Sequence, residues 1–456
     1  MQKRGAIKLM LGLWAFLLVG GITMAHADER LTSQILGNGL EVIVVENHLA
    51  PLATIKIVLR FGSWVESPEQ NGLTHLYEHM FFKGHNALPS QGAFLARARQ
   101  LGMVWDSSIN EEWMSAQFTL SSESLSAGLD FMRQAVQYPL VDEDELNREK
   151  QILIGEMARK ETIPTDHLSR AVAQQLWGAD FYHHRVLGDR KVILAATPDE
   201  LRLFQLRYVL PNNAALLVVG DVSSEDVFEL AAEAFDSWRA GFDPFPATPV
   251  LVSNPPGEIR DTVVVQPVRV AHMVVAWRGP SLGVDTLGSV AAAVFAVLVG
   301  QNTSTFQRNL VDSGLVLEAH MDAVSRRYSG EVSISATFRP DNFWEAYGAV
   351  IAEIGKFGDP NYFTHAQLIN AKTWLRIQND FERGRASSYA HEIAARWAGA
   401  GFDYHRDRLD RLQAVTPEDI RGYLFRYVIG RPRVNAVMVD QQTLRQQRVV
   451  KSSLTP

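Results

Sequence analysis

The chain contains no cysteine among its 456 residues. That absence excludes disulfides, thiolate metal sites, cysteine nucleophiles and a lipid-modified N-terminal cysteine. It suits export to a bacterial periplasm, where stray thiols are oxidised. Also missing is any dense cluster of Lys and Arg. With 44 basic against 51 acidic residues the formal charge is −7, which argues against nucleic acid or an anionic membrane as partner. Beyond the N-terminus no apolar run is long enough to span a bilayer, so no stable membrane insertion is expected.

What is present begins with an address label. Lys3, Arg4 and Lys8 precede an apolar run over residues 9–24, and Ala25-His26-Ala27 is an A-x-A cleavage site. Residues 1–27 therefore read as a signal peptide, with the mature chain starting near Asp28. Its removal takes three basic residues and no acidic ones, so the mature charge is 41 − 51 = −10. The remaining 456 − 27 = 429 residues are too many for one hydrophobic core. An internal repeat supports two units. Thr197-Pro-Asp-Glu-Leu201 and Arg207-Tyr208-Val209 recur as Thr416-Pro-Glu-Asp-Ile420 and Arg426-Tyr427-Val428, an offset of 416 − 197 = 219. Each copy predicts a Thr-capped helix leading into a buried strand, over residues 214–219 and 434–439. Residues 53–59 likewise have a counterpart in 271–277. A Pro-rich stretch between the copies reads as a stiff linker. The expected division is 28–240, a linker over 241–257, and 258–450.

His75-Leu76-Tyr77-Glu78-His79 carries the chemistry. On a helix, His75 and His79 project from one face and can share a metal ion, with Glu78 in reach of a water on that ion. Leu73, Leu76 and Met80 supply an apolar side, and Gly84 a C-terminal stop. A catalytic zinc takes three protein ligands and leaves one position open. The third is expected from a second helix, and Glu149 and Glu156, 156 − 149 = 7 residues apart, point the same way.

The run Gly72-Leu-Thr-His-Leu-Tyr-Glu-His-Met-Phe-Phe-Lys-Gly84 resembles the active-site helix of the pitrilysin-type zinc peptidases, the M16 family of mitochondrial processing peptidase and insulin-degrading enzyme. In that family the third ligand is a Glu 76 residues beyond the second His, and here 156 − 79 − 1 = 76. The stretch 208–222 is similar to the strand that closes the family's first domain. The resemblance implies an α+β fold of the LuxS/MPP-like metallohydrolase type. Two tandem homologous α/β domains, with antiparallel-containing sheets flanked by helices, would face each other like a clamshell. It implies one Zn²⁺ per chain on His75, His79 and Glu156, with Glu149 supporting the ligands and Glu78 as catalytic base. The implied reaction is endopeptidase hydrolysis of peptides or unfolded segments.

The second half departs from the pattern. The position of the metal helix reads Ala291 to Val299 without ligands, and His272, His320, His365, His391 and His405 show no metal spacing. Self-sufficient family members place an Arg and, seven residues later, a Tyr in this half; the corresponding positions hold Leu310 and Leu317. Arg308, Arg326, Arg327 and Tyr328 lie nearby at the wrong spacing and read as surface residues. The expected arrangement is a zinc-bearing subunit whose homologous partner supplies the Arg/Tyr pair, with a homodimer as the other option. On the substrate-pairing edge strand, Asp106 and Ser107 stand where the family has Asn-Ala; both are candidate substrate contacts. A non-catalytic scaffold subunit and a maturation protease dedicated to one precursor are the rival functions.

Overall fold

The computed structural model describes residues 30–178, 185–245 and 254–454. The signal-peptide reading and part of the linker, 246–253, fall outside the described residues. Six strands form the first sheet: β1 (Leu31–Ile35), β2 (Glu41–Glu46), β3 (Leu52–Leu59), β4 (Val104–Ile109), β5 (Met114–Ser121) and β6 (Ala214–Gly220), in the order β1-β2-β6-β3-β5-β4. Five form the second: β7 (Arg260–Val265), β8 (Ala271–Arg278), β9 (Glu318–Ser325), β10 (Gly330–Phe338) and β11 (Val434–Val439), in the order β7-β11-β8-β10-β9. In each sheet one pair is parallel, β2 with β6 and β7 with β11, and the other pairs are antiparallel. From β2 onward the first sheet thus repeats in the second strand for strand, and the fold is α+β with two tandem homologous units.

Sequence explains the burial of the strands. β6, Ala-Ala-Leu-Leu-Val-Val-Gly, is buried throughout, as a strand covered on both faces must be. β10 alternates instead, burying Val332, Ile334, Ala336 and Phe338 while the residues between them are only half-buried. The repeated helix starts carry matching capping boxes, Thr197 with Glu200 and Thr416 with Asp419.

The two units are interlocked. Helix Ala386–Ala400 belongs to the second half by sequence, yet it packs Tyr389, Ile393 and Trp397 on Ile43, Val58, Leu217 and Val219 of the first sheet. Reciprocally, helix Pro164–Trp177 of the first half packs Leu168, Val172 and Leu176 on Ala276, Val434 and Met438 of the second. Each exchanged helix delivers a Trp near its end, and an Arg at the end of a central strand stacks on it. Arg60 lies 3.8 Å from the Trp397 ring centroid and Arg278 3.2 Å from that of Trp177. Each Arg also donates to a carbonyl of the exchanged helix, Trp397 O at 3.1 Å and Leu176 O at 3.1 Å. The spacings 278 − 60 = 218 and 397 − 177 = 220 each lie within one residue of the repeat offset of 219, so the clasp duplicated with the fold.

Candidate metal centre

The histidine pentapeptide lies on helix Leu73–Met80, which buries Leu73, Leu76, Tyr77 and Met80 in the first core. Its start has no capping side chain of its own. Glu66 caps it from outside: Oε2 accepts from Gly72 N at 2.9 Å and Asn71 Nδ2 at 3.0 Å, and Oε1 from Thr74 N at 2.7 Å. Gly72 sits at φ +114°, and a Cβ there would meet Ile193 at 2.8 Å, so glycine is required. Burial pushes the Glu66 carboxyl up to about 7, against the pull of these hydrogen bonds.

Helix Glu143–Glu161, capped by Asp142, brings Glu149 and Glu156 to the same side. His79 Nδ1 lies 3.0 Å from Glu149 Oε2, and Lys83 Nζ 2.6 Å from the other oxygen of that carboxylate. With Nδ1 donating to Glu149, the Nε2 lone pair of His79 faces Glu156. Glu156 Oε2 is 3.8 Å from His79 Nε2 and 3.9 Å from His75 Nε2. These separations exceed hydrogen bonds and fit two bonds of about 2 Å to a shared cation. All three donor atoms lie within 4.8 Å of one another, and among the described residues no other group of His, Asp and Glu does so.

The electrostatics suit a cation. Burial, and then the neighbouring His79, pull His75 down to about 3, which keeps its imidazole neutral and able to donate a lone pair. At His79 burial works downward, but the Glu149 bond and the charges of Glu78, Glu149 and Glu156 outweigh it and raise the pKa. At Glu149 burial is likewise outweighed, by His79 and Lys83, which hold the carboxyl down in its charged form. Two neutral-capable imidazoles and a carboxylate are a borderline-soft donor set of the kind zinc takes.

Glu78 lies beside this cluster, Oε2 4.0 Å from His79 Nε2. Burial raises its carboxyl despite a hydrogen bond from Ser107 Oγ to Oε1. Ser107 therefore reaches the cleft. Asp106 does not line it: the preceding residue on β4, it points to the opposite face, where it is exposed, and its charge acts on the buried Lys56, on His391 and, at longer range, on Glu78. The cleft in front of the donors has a volume of about 730 Å³, and its lining residues all fall between His75 and Leu187.

Among the described residues, the second half touches the cleft only through its rim. Arg326 Nη2 donates to the cleft residue Glu111 at 3.3 Å. The next carboxylate, Glu112, accepts from the backbone of Arg327 at 2.9 Å and of Tyr328 at 3.4 Å. Tyr328 also packs on Trp64, ring centroids 5.3 Å apart. Arg326, Arg327 and Tyr328 are thus half-buried parts of a clasp between the halves, which corrects their reading as surface residues. Leu310 is buried in the second core and Leu317 is 43 % exposed. Glu66, Lys83 and the clasp were missed by sequence reasoning; only Lys83, four residues after His79 and just past the helix end, carried a local signal.

Comparison with known proteins follows the same division. The family model described as Insulinase (Peptidase family M16) matches residues 41–189, and that of the Peptidase M16 inactive domain matches residues 195–373. The chain belongs to peptidase family M16. A zinc protease PqqE of Helicobacter pylori is 27 % identical over 319 residues, 68 % of this chain and 71 % of that protein. A probable mitochondrial-processing peptidase subunit beta of Arabidopsis thaliana is 25 % identical over 284 residues, 61 % of this chain and 51 % of that one. Among solved structures, a Helicobacter pylori protease superposes with TM-score 0.80 at 20 % identity, covering 90 % of this M16 chain and 100 % of that one. The periplasmic protease PqqL from Escherichia coli gives 0.78 at 18 % identity, covering 94 % of this chain and 49 % of PqqL.

Proposed function

We propose that this M16 chain is a zinc-dependent endopeptidase of the periplasm, acting on peptides or unfolded segments. The observation that carries the reading is the convergence of His75, His79 and Glu156 with the buried Glu78 beside them. His75, His79 and Glu156 would hold one zinc, oriented through Glu149. When bound, zinc supplies Lewis-acid polarisation of a carbonyl and acidifies water. Glu78 takes the proton of the attacking water at its carboxylate and returns it to the leaving amine. Its burial-raised pKa suits a group that must both accept and release that proton. Ser107 fixes the carboxylate from the strand side. β4 is an edge strand, so its free backbone groups can pair with an extended peptide.

The chain would act as the metal-bearing subunit of a pair. Among the described residues its cleft takes lining from the first half alone, and leucines stand at the Arg and Tyr positions of the second. A homologous M16 chain carrying that pair would complete the wall; relatives named as a beta subunit and as a periplasmic protease are consistent with both the pairing and the compartment. Those same leucines favour one second reading, a scaffold subunit without catalysis.

Peptide hydrolysis by the purified chain, with and without its co-purifying partner, separates the readings. Hydrolysis should require the partner and fall about a hundred- to ten-thousand-fold in Glu78→Gln, with zinc retained. Full activity of the isolated chain sinks the subunit proposal, and zinc without hydrolysis in either preparation favours the scaffold.

A further inference from the structure

The donors are not the only charged groups in the cleft. Outside them its lining carries Lys160, Arg170 and Arg185 beside Glu78, Glu111 and Asp166. Glu111 is already matched by Arg326. Asp166 must serve two guanidiniums: its Oδ2 lies 3.2 Å from Arg170 Nε and 3.6 Å from Arg185 Nη2. Neither contact has hydrogen-bond geometry. Asp166 Oδ2, Arg170 Nε and Arg185 Nη2 are buried atoms that lack a hydrogen-bond partner among the described residues.

The cations are held in place. Arg170 Nη2 donates to His167 Nδ1 at 2.9 Å, and His167 Nε2 donates to the Glu161 carbonyl at 2.9 Å. The helix bearing Arg170 shows two faces: Leu168, Val172 and Leu176 lie on the second sheet, while Asp166, Ser169, Arg170 and Ala173 face the cleft. Burial, and then the charge of Arg170, disfavour the charged form of Arg185. Asp166 leaves both guanidiniums short of hydrogen-bond partners, with Glu161 adding its charge at Arg185, and a planar guanidinium fork takes a carboxylate in preference to other anions of a peptide.

We propose that Arg170 and Arg185 form a carboxylate-accepting subsite beside the metal donors, taking an acidic side chain or the free C-terminus of a bound peptide. The choice of a peptide as ligand rests on the peptidase reading; the shortage of partners at the guanidiniums does not.

The test is binding rather than turnover. Fluorescently labelled peptides with Glu or Lys scanned through one sequence, each with a free or an amidated C-terminus, are titrated by anisotropy into the zinc-loaded Glu78→Gln chain. If side chains are the source, Glu peptides bind about tenfold tighter than Lys peptides whatever the C-terminus. If the C-terminus is the source, amidation costs about tenfold whatever the side chain. Either preference should vanish in the Arg170→Ala/Arg185→Ala double variant and weaken in Arg185→Lys, which keeps the charge and the fold but loses the fork. Equal affinity for all four peptide types, no binding of any, or a preference that survives the double variant overturns the subsite. Wild-type chain that fails, with its partner, to cleave peptides it binds sinks the peptidase reading and leaves the subsite standing.

Discussion

Glu149 holds His79 by Nδ1 and so decides which ring nitrogen faces Glu156. Removing that acceptor frees the ring to rotate and to change tautomer. Glu149→Ala should therefore weaken zinc binding about 10- to 100-fold without unfolding the chain, as read by competition with a chromophoric chelator. An unchanged zinc affinity would show that packing alone orients the ring. At this scale much of the site was legible. The spacing of His75, His79 and Glu156 pointed to one cluster, because helical periodicity and a family distance both constrain it. Asp106 and Ser107 were taken together, but strand parity sends neighbours to opposite faces, and only Ser107 meets Glu78. Glu66 was not legible: its three hydrogen bonds form across a loop, and nothing in local periodicity marks a carboxylate that caps a helix it does not belong to.

Among the elements, the repeated Thr-Pro capping boxes and buried strands could be read directly, since caps and apolar runs are local signals. The exchanged helices could not. Ala386–Ala400 and Pro164–Trp177 are amphipathic in the ordinary way, and sequence does not say that each one's apolar face belongs to the other half. The Arg and Trp positions at the repeat offset were the available clue. Trp397 is buried in the first half's sheet cluster, under Arg60, and its Nε1 donates to Glu41 at 2.6 Å. Trp397→Ala should cost about 3–5 kcal/mol, the range for emptying a large aromatic site, and should lower the melting temperature of the whole chain. Loss confined to the second half, as followed by hydrogen exchange of β3 and β6, would contradict the interlocked packing.

For the molecule as a whole, the halves are joined by those helices and by the Glu112 clasp. Glu112 is buried, and burial pushes its carboxyl up to about 7 from a reference of 4.5, against the Arg327 and Tyr328 N–H groups and the Arg326 charge. The folded chain thus holds this proton more tightly than the unfolded chain. That contribution to stability is fully present below about pH 4.5 and is lost as pH rises through about 7. Glu66, raised to about 7 in the same way, adds to the same window. The urea midpoint of the wild type relative to Glu112→Gln should therefore fall between pH 5 and pH 8, by on the order of 1–3 kcal/mol in free energy; the buried His75 and His405, held low and pulling stability the other way, are common to both chains and cancel in the difference. A wild-type midpoint that rises relative to that of Glu112→Gln over this window would reverse the sign assigned to Glu112.

The central claim is that one half of this duplicated chain holds a zinc and the other holds none. Metal content of the purified full chain, read by mass spectrometry, tests it most directly. The wild-type chain should carry about one zinc, retained in Glu78→Gln and lost in His79→Ala. A wild-type chain free of zinc, or one whose zinc survives His79→Ala, would contradict it.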